Sequence, residues 1–267
     1  MGQELRGHRI LITGASMGIG AQLAREFAKR GAELLLVARS EDKLQGLRRS
    51  LLEAGASCEV LPADLSKPPS VQALIASVLA LGRLDGLVHN AGVGLYGDFE
   101  TQDEADIREL FEVNFFSVLA LSRGLLPLLK QSSHPRLMLV SSVVSWRAIA
   151  RLAAYSASKS ALNGFAEALR VELAPFGIPV VNTYPGRTRT EFTANAKSTG
   201  WRPFSTERQG MAAEQVARRL VAAYRKGKRD EFVSLSNRLL IWGNFLFPRM
   251  IDWGLKKYFR GKDGAKS

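Results

Sequence analysis

The stretch TGASMGIG, residues 13–20, follows the apolar run RILIT at 9–13 and precedes a helical pattern at about 18–30. Its glycines permit a tight turn and let backbone N–H groups approach a pyrophosphate at the helix N-terminus, where the helix dipole favours anions. Their spacing is G-x-x-x-G-x-G and not the commoner G-x-G-x-x-G. Because the turn joins a strand to a helix, it favours a nucleotide site over a plain turn, with Gly14, Gly18 and Gly20 as candidate contacts.

Five further apolar runs alternate with helical patterns along the chain. They are ELLLVAR (33–39), CEVLPADL (58–65), LDGLVHNAG (84–92), RLMLVSS (136–142) and IPVVNTYPG (178–186). Runs with charged residues near their ends suit strands of a parallel sheet that is covered on both faces. The repeated alternation predicts an α/β fold, with one doubly wound parallel sheet, helices on both faces and right-handed crossovers.

The same pattern predicts the domain organisation. No second strand–helix series, repeat or low-complexity linker occurs before about residue 235. We therefore expect a single domain over residues 1–235, which includes a polar, glycine-interrupted loop at about 191–211. Residues 236–267 form a basic amphipathic helical extension at its C-terminus.

The composition excludes several classes of protein. The chain has 267 residues, 46% hydrophobic and 23% charged, which is typical of a globular protein. Its single cysteine, Cys58, excludes an intrachain disulfide and fits a reducing compartment. The three histidines lie far apart without metal-ligand spacing, so we expect no metal site. The N-terminal stretch lacks the apolar core of a signal peptide, and we expect a cytoplasmic location, either free or at the inner face of a membrane.

The net charge of +12 is concentrated toward the C-terminus. Residues 201–267 hold 15 Lys+Arg and 6 Asp+Glu, a net of +9, which leaves +3 for residues 1–200. This asymmetry suits nucleic acid, anionic lipid or simply a solvated surface. No nucleic-acid-binding motif accompanies it, so we expect no nucleic-acid partner.

The end of the second apolar run predicts which dinucleotide binds. An acidic residue there accepts hydrogen bonds from a free ribose 2′-hydroxyl, whereas an arginine accommodates a 2′-phosphate. Here the run ends in Ala38 and Arg39, which favours NADP(H) over NAD(H), although an arginine in solvent gives the same sequence. Asp64, after the third run, either accepts a hydrogen bond from the adenine amino group or caps a helix.

The segment AYSASKSA, residues 154–161, places Tyr155 and Lys159 one helical turn apart. Positions i and i+4 share a face of a helix. The pair is either an ordinary surface pair, or the lysine lowers the pKa of the phenol for proton transfer. Residues elsewhere in the chain favour the second interpretation.

Several motifs occur together in a fixed order. They are TGASMGIG, HNAG (89–92), Asn114 in FEVNFFS, Ser142 in LVSSV, YSASK (155–159) and PGRTRT (185–190). In this order and spacing, which includes thirteen residues from Ser142 to Tyr155, they resemble the classical short-chain dehydrogenase/reductase family over roughly residues 7–235. The resemblance implies a Rossmann-type fold and hydride transfer between NADP(H) and a carbonyl or secondary alcohol.

The resemblance also implies the catalytic residues. Ser142 would hydrogen-bond the substrate carbonyl, and Tyr155 would deliver or accept the proton. Lys159 would hold the nicotinamide ribose and stabilise the phenolate, which lowers the pKa of the tyrosine toward the working pH. Asn114 would anchor a water that connects Lys159 to bulk solvent.

Other matched positions, with the glycine-rich turn and the two strand ends, make up the expected cofactor site. The site comprises Thr13, Gly14, Ser16, Gly18, Ile19, Gly20, Arg39, Asp64, Leu65, Asn90, Ala91, Gly92, Tyr155, Lys159, Pro185, Gly186, Thr188 and Thr190. Two positions depart from the family pattern. His89 replaces a more usual asparagine, where we expect a structural and not a catalytic effect. Thr188 replaces an aliphatic residue, so Arg187 and Arg189 are expected to form a basic lip.

The sequence does not name the substrate. The loop at 191–211 holds Phe192, Trp201 and Phe204, which suit an apolar, lipid- or steroid-like substrate, although the same residues serve packing. A lid that orders over the substrate would have this composition, and so would any exposed loop. Two functions stay open: an NADP(H)-dependent oxidoreductase, favoured by the complete catalytic set, and a non-catalytic NADP(H)-binding or regulatory partner protein.

Assembly and membrane contact are the last expectations. By the same resemblance, the apolar helical stretches at 101–131 and 153–176 predict a homodimer or homotetramer.

In the extension, Pro248 begins a helix with Met250, Ile251, Leu255, Tyr258 and Phe259 on one side and Arg249, Asp252, Lys256 and Arg260 on the other. Charged and polar residues interrupt every window long enough to span a membrane. The extension therefore either contacts an anionic membrane surface peripherally or folds back over the substrate cleft or subunit interface.

Overall fold

Seven strands form one parallel sheet in the order β3–β2–β1–β4–β6–β7–β11. The computed structural model describes residues 4–201 and 210–263, the last four of them as backbone only. The strands are β1 Arg9–Thr13, β2 Glu33–Ala38, β3 Ser57–Pro62, β4 Gly86–His89, β6 Arg136–Val140, β7 Val180–Tyr184 and β11 Asp230–Phe232. The strand order reverses between β1 and β4, and ligands of such sheets bind in the crevice at the carboxyl ends of the strands beside that reversal.

Helices cover both faces of the sheet. They are α1 Gly18–Ala28, α2 Glu41–Glu53, α3 Pro68–Ala80, α4 Glu104–Phe111, α5 Ser117–Gln131, α6 Ala153–Leu173 and α8 Ala213–Lys226. Successive strand residues point to opposite faces, so Ile10 and Ile12 pack with α1, α2 and α8 in one core. Leu11 packs with α3, α5 and α6 in the other. The predicted doubly wound sheet with helices on both faces is confirmed.

Short elements gather at the carboxyl edge of the sheet. They are β5 Leu95–Gly97, β8 Thr188–Arg189, α7 Phe192–Asn195, β9 Lys197–Thr199 and β10 Met211–Ala212. Strand β5 pairs with β9, and β8 pairs with β10. The expected loop at 191–211 thus contains a short helix and a strand, and its Phe204 lies outside the described residues.

Two helices follow the last strand. Helix α9 spans Leu235–Leu246, and α10 spans Pro248–Asp263. The helix predicted to begin at Pro248 is present, and the Arg260 side chain lies outside the described residues. Helix α9 and strand β11 were not predicted. The hydroxyl of Ser234 caps α9 by accepting a hydrogen bond from the Asn237 N–H.

Within the described residues, one helical stretch, Glu104–Gln131, is long and apolar enough to cross a membrane. Half of its most apolar window is buried inside the chain, and α5 contributes seven buried residues to the helix layer. A core helix of this kind passes the same test of length and composition.

Candidate active site

The glycine-rich turn has the backbone geometry of an anion site. Gly14 and Gly18 have φ angles of 65° and 55°, which other residues rarely adopt. A Cβ on Gly20 would lie 2.1 Å from the Gly14 carbonyl oxygen, so only glycine fits there. The first turn of α1 holds no acidic residue, and Met17 gives it no side-chain cap in the described structure. Its N–H groups are therefore open to an anion.

The turn after β4 is fastened to the turn after β1. The Thr13 hydroxyl accepts hydrogen bonds from the Asn90 and Ala91 N–H groups, both at 3.0 Å. The Asn90 amide donates to the Thr13 and Gly14 carbonyls at 3.0 and 3.2 Å. Thr13 is 1% exposed and does not line the cavity. Thr13 therefore holds the glycine-rich turn in place through hydrogen bonds. It is not one of the direct cofactor contacts that the sequence predicted.

A single cavity of about 960 Å³ joins this turn to the predicted catalytic residues. Except for Thr13 and Asn114, every site residue expected from the sequence lies on its wall. These lining residues are Gly14, Ser16, Gly18, Ile19, Gly20, Arg39, Asp64, Leu65, Asn90, Ala91, Gly92, Ser142, Tyr155, Lys159, Pro185, Gly186, Thr188 and Thr190. Residues spread over 177 positions of sequence therefore meet at the reversal of the strand order.

At the end of β2, Arg39 is exposed on the cavity lip, and within the described residues its side chain makes no hydrogen bond or ion pair, although its charge helps to lower the pKa of Asp64. Asp64 accepts hydrogen bonds from the Ser66 N–H and hydroxyl at 3.0 and 2.7 Å. Although burial opposes the effect, these bonds hold the pKa of Asp64 below its usual value. The expected helix cap is wrong, because the N-cap of α3 is Lys67 and the described structure gives that helix no side-chain cap. Asp64 instead bonds Ser66 within a local turn, and its side chain borders the cavity, as the other expected role requires.

Ser142, Tyr155 and Lys159 meet on one wall. Ser142 follows β6, while Tyr155 and Lys159 are one turn apart on α6. The Ser142 side chain lies close enough to Tyr155 to oppose part of the rise in its pKa. The Lys159 Nζ donates to the Val140 carbonyl at 3.0 Å and lies 6.0 Å from the centroid of the Tyr155 ring. A Cβ on Gly92 would lie 3.3 Å from Nζ, so a larger residue there would crowd the ammonium.

The electrostatics of this pair differ from the expectation. Burial raises the pKa of Tyr155 above its usual value, and the nearby Ser142 side chain only partly opposes the rise. Burial lowers the pKa of Lys159 to about 8. The expected lowering of the tyrosine pKa by the lysine is wrong for the protein without cofactor. Desolvation outweighs the distant charge, and the ammonium is directed at the Val140 carbonyl.

Asn114 lies in a π-helical turn, Glu112–Phe116, between α4 and α5. Its Oδ1 accepts a hydrogen bond from the Val93 N–H at 2.8 Å, and its Nδ2 donates to the Val93 carbonyl and the Ser158 hydroxyl, both at 3.0 Å. Asn114 is fully buried behind the cavity wall. Such π-helical turns occur mostly at functional sites, and this one was not predicted.

The two departures from the family pattern have structural explanations. His89 is 2% exposed, and its Nε2 contacts the Ser122 hydroxyl at 2.9 Å. Burial lowers the pKa of His89 to about 3, so the ring is neutral, and it does not line the cavity. The Thr188 hydroxyl donates to the Gly186 carbonyl at 3.0 Å. Arg187 and Arg189 are both exposed beside it, as expected for a basic lip.

Helix α10 forms one wall of the cavity, a placement that the sequence left open. Leu255, Tyr258 and Phe259 line the cavity, together with Phe192 and Trp201 of the expected substrate loop. The rings of Trp201 and Phe259 lie 6.2 Å apart. Of the two interpretations of the extension, folding back over the cleft is present. No signal in the sequence could connect these residues to the site, because their contacts are entirely tertiary.

An ion pair fastens α10 to the loop after Ser142. The Arg147 guanidinium contacts the Asp252 carboxylate at 2.5 Å. The expected division of α10 is therefore partly wrong: Asp252 faces the protein, and Met250 is 68% exposed. At the start of the extension, α9 lies against the Pro185–Gly186 turn, because a Cβ on Gly186 would be 2.2 Å from the Asn237 amide nitrogen.

Comparisons with known proteins agree with this geometry. A family model described as short chain dehydrogenase matches residues 8–201. The chain is 34% identical to a dehydrogenase/reductase SDR family protein 7-like of Anopheles gambiae, over 96% of the chain and 84% of the relative. It is 32% identical to 11-beta-hydroxysteroid dehydrogenase A of Sesamum indicum, over 98% and 78%.

Solved structures show the same similarity. A short-chain dehydrogenase from Sphingobium yanoikuyae in complex with NADPH superposes with a TM-score of 0.79 at 28% identity, over 94% of this chain and 95% of that chain. With the motif order, the sheet topology and the family match in agreement, the chain belongs to the short-chain dehydrogenase family and is an oxidoreductase of that family.

Proposed function

We propose that the chain interconverts a carbonyl and a secondary alcohol by NADP(H)-dependent hydride transfer, with Tyr155 as general acid and base. One observation carries the proposal. Tyr155, Ser142 and Lys159 lie together on the wall of a cavity that continues to the glycine-rich turn, with the Lys159 Nζ 6.0 Å from the centroid of the Tyr155 ring. A protein that only bound the cofactor would have no use for this proton-transfer group.

The residues around the cavity fit NADP(H). The open N–H groups at the start of α1 suit the pyrophosphate, and the exposed Arg39 suits a 2′-phosphate. The Sphingobium relative, whose structure contains NADPH, supports the same assignment. When bound, the cofactor supplies or accepts the hydride. Tyr155, Lys159, Pro185 and Gly186 would hold its nicotinamide end.

The protein's own groups would manage the proton. In reduction, Ser142 and Tyr155 would both donate hydrogen bonds to the carbonyl oxygen, and Tyr155 would transfer its proton as the alcohol forms. The raised pKa of Tyr155 keeps the phenol protonated and therefore ready to donate. The tyrosinate left behind would be stabilised by the Lys159 cation. Because both N–H bonds of the Asn114 amide are used, a water at Asn114 would be held by an oxygen of that residue.

The substrate would have an apolar body. Aromatic and aliphatic side chains make up much of the cavity lining, among them Ile149, Leu152, Phe192, Trp201, Leu255 and Phe259. Apolar walls with few polar groups are typical of sites for lipid- or steroid-like molecules. A relative named for 11-beta-hydroxysteroid dehydrogenase activity supports this substrate class.

The Tyr155→Phe variant tests the proposal directly. Phenylalanine keeps the ring and removes only the transferable proton, so turnover of NADPH with a ketone panel should fall by roughly 10²–10⁴-fold. NADPH affinity, measured by fluorescence titration, should stay within a few-fold of that of the unchanged protein. Full turnover in the variant would reject Tyr155 as the general acid, whereas no turnover of any carbonyl by the unchanged protein would favour the non-catalytic alternative.

We also propose that the chain acts as a homo-oligomer and contacts anionic membrane peripherally, on the cytoplasmic side, through residues 236–267. Large apolar residues in or next to α5 and α6 stay exposed, including Phe116, Val171 and Phe176. A second copy of the chain would cover such a surface. The basic extension, with 7 Lys+Arg and 2 Asp+Glu, favours an acidic partner.

A further inference from the structure

Exposed apolar side chains are concentrated in α9, α10 and the residue between them. Of the 16 large apolar residues that are exposed in the described chain, 10 fall within residues 235–258, with exposed fractions of 42–77%. These ten, called the outer surface below, are Leu235, Leu239, Leu240, Trp242, Phe245, Leu246, Phe247, Met250, Trp253 and Tyr258. Soluble surfaces rarely carry an apolar patch of this density, and such patches mark interaction sites.

The spacing of these residues defines one side of each helix. On α9, Leu235, Leu239, Trp242 and Leu246 recur at intervals of four, three and four residues, which places them along one stripe. On α10, Met250 and Trp253 are three residues apart and equally exposed.

The opposite side of α10 packs on the protein. Leu255 and Phe259 line the cavity there, and Asp252 pairs with Arg147. The two helices therefore have a packed inner side and an apolar outer surface. Packing against the rest of the chain explains the inner side but does not explain the exposed apolar outer surface.

The charges around the outer surface select the partner. Arg238, Arg249, Lys256 and Lys257 are all exposed, while Asp252, the one acidic residue in the described part of α9 and α10 before residue 260, is paired with Arg147. A second copy of this chain would bring like charges together. An anionic bilayer accepts both the apolar side chains and the basic ones, and tryptophan favours its interface.

The helices are too short to cross a bilayer. With 12 and 16 residues, α9 and α10 measure roughly 18 and 24 Å at 1.5 Å per residue, less than the roughly 30 Å of a hydrocarbon core. Amphipathic helices of this kind lie in the plane of the membrane surface.

The rim of the active-site cavity belongs to the same helix. Tyr258 lines the cavity and is also 49% exposed as part of the outer surface. We propose that the outer surface docks on an anionic bilayer and that the cavity opens toward the lipid there, so that a carbonyl or alcohol dissolved in the membrane enters directly from the bilayer. This inference rests on the proposed reductase activity and membrane contact. It adds the orientation of the protein on the bilayer and the route by which the substrate enters the cavity.

Docking is tested with the full chain and vesicles of phosphatidylglycerol and phosphatidylcholine in equal parts, by co-sedimentation at low salt. Trp242→Ser combined with Trp253→Ser should lower the partition coefficient by about tenfold or more, because each removes a large apolar group from the interface. Phe99→Ser, which changes a residue 66% exposed between β5 and α4 and outside the cavity, is the matched control and should bind as the unchanged protein does.

Other outcomes of the same assay would overturn docking. The proposal fails if the chain ignores anionic vesicles, or if the double tryptophan variant binds as well as the control. If the double variant instead dissociates an oligomer in light scattering without a change in vesicle binding, the outer surface is a contact between copies.

The route is tested by kinetics with two ketones. For a long-chain ketone dissolved in the vesicles, the rate should follow its mole fraction in the lipid and not its bulk concentration. The double tryptophan variant should lose most of that rate and keep kcat for a short, water-soluble ketone without vesicles, since neither tryptophan lines the cavity. Equal losses with both ketones would overturn the route. No activity on either ketone, with vesicle binding intact, would reject the reductase proposal and leave docking standing.

Discussion

Replacing Lys159 with methionine is expected to stabilise the cofactor-free protein while it removes the activity. The lysine is 3% exposed and forms no ion pair with any carboxylate of the described chain, so its charged form lowers the free energy of unfolding. Burial lowers its pKa from 10.5 to about 8. That difference corresponds to about 3 kcal/mol against the charged form at neutral pH. Methionine has a similar length and no charge.

One lost contact offsets part of the gain. Without the ammonium, the Val140 carbonyl loses the hydrogen bond that it accepts at 3.0 Å, which costs about 1–3 kcal/mol. The net increase in the free energy of unfolding should therefore be about 1 kcal/mol near pH 7. Turnover should nevertheless fall by about 10²-fold or more, because the tyrosinate loses its stabilising cation.

The pH dependence gives a second, sharper measurement. Between about pH 8 and pH 10.5 the unfolded chain binds the lysine proton and the folded chain does not, so the stability of the unchanged protein rises with pH in that window. Methionine does not titrate. The stability advantage of Lys159→Met over the unchanged protein should therefore shrink as the pH rises through this range. It should then reverse, because the lost hydrogen bond to Val140 is the one difference that still affects stability.

Urea denaturation of both proteins without cofactor, at about pH 7 and about pH 10, measures this difference. Lys43→Met, at an exposed lysine on α2, is the control and should change stability by less than about 0.5 kcal/mol at either pH. A Lys159→Met protein whose stability relative to the unchanged protein is the same at both pH values would refute the buried charge as its cause.

Four further outcomes are expected. Arg39→Ala should cost about 1.5–3 kcal/mol of NADPH affinity and leave NADH affinity nearly unchanged, and equal weakening in a titration would assign the arginine another role. Gly20→Ala should lower the free energy of unfolding by about 2 kcal/mol or more and weaken NADPH binding, because its Cβ would meet the Gly14 carbonyl at 2.1 Å. Gly46→Ala, with open space around it in α2, should instead stabilise by about 1 kcal/mol in the same denaturation assay. Light scattering at micromolar concentration should give at least the mass of a dimer, and a strictly monomeric mass would contradict the predicted assembly.

Local patterns were sufficient for most of the sheet. Strands β1, β2 and β4 are short apolar runs with a turn or helix signal on each side, so their positions could be read within a few residues. Strand β11 was missed because its three residues, DEF, carry two charges and gain their strand geometry only from pairing with β7. Pairing at a sheet edge is a tertiary property that a run of three residues does not encode.

The site shows the same division between local and tertiary information. The cavity-lining positions from Gly14 to Thr190 were reached through their motifs, while the roles of Thr13 and Asn114 depended on contacts with residues far away in sequence. The direction of the shift in the pKa of Tyr155 was also predicted wrongly. A neighbouring lysine is visible in the sequence, whereas the desolvation that outweighs it depends on burial.

The C-terminal extension shows why an amphipathic pattern alone could not choose between packing and membrane contact. A stripe of apolar residues is needed for either partner, and the sequence placed Met250, Leu255 and Phe259 on one side. In the structure Leu255 and Phe259 close the cavity while Met250 faces outward, because the helix is held by Asp252 on Arg147 and not by its apolar side alone. The two interpretations are therefore compatible, since α10 has a different side available for each. A helix that forms one wall of the candidate active site and also presents tryptophan to the outside would link the proposed chemistry of Tyr155 to whatever covers that outer surface.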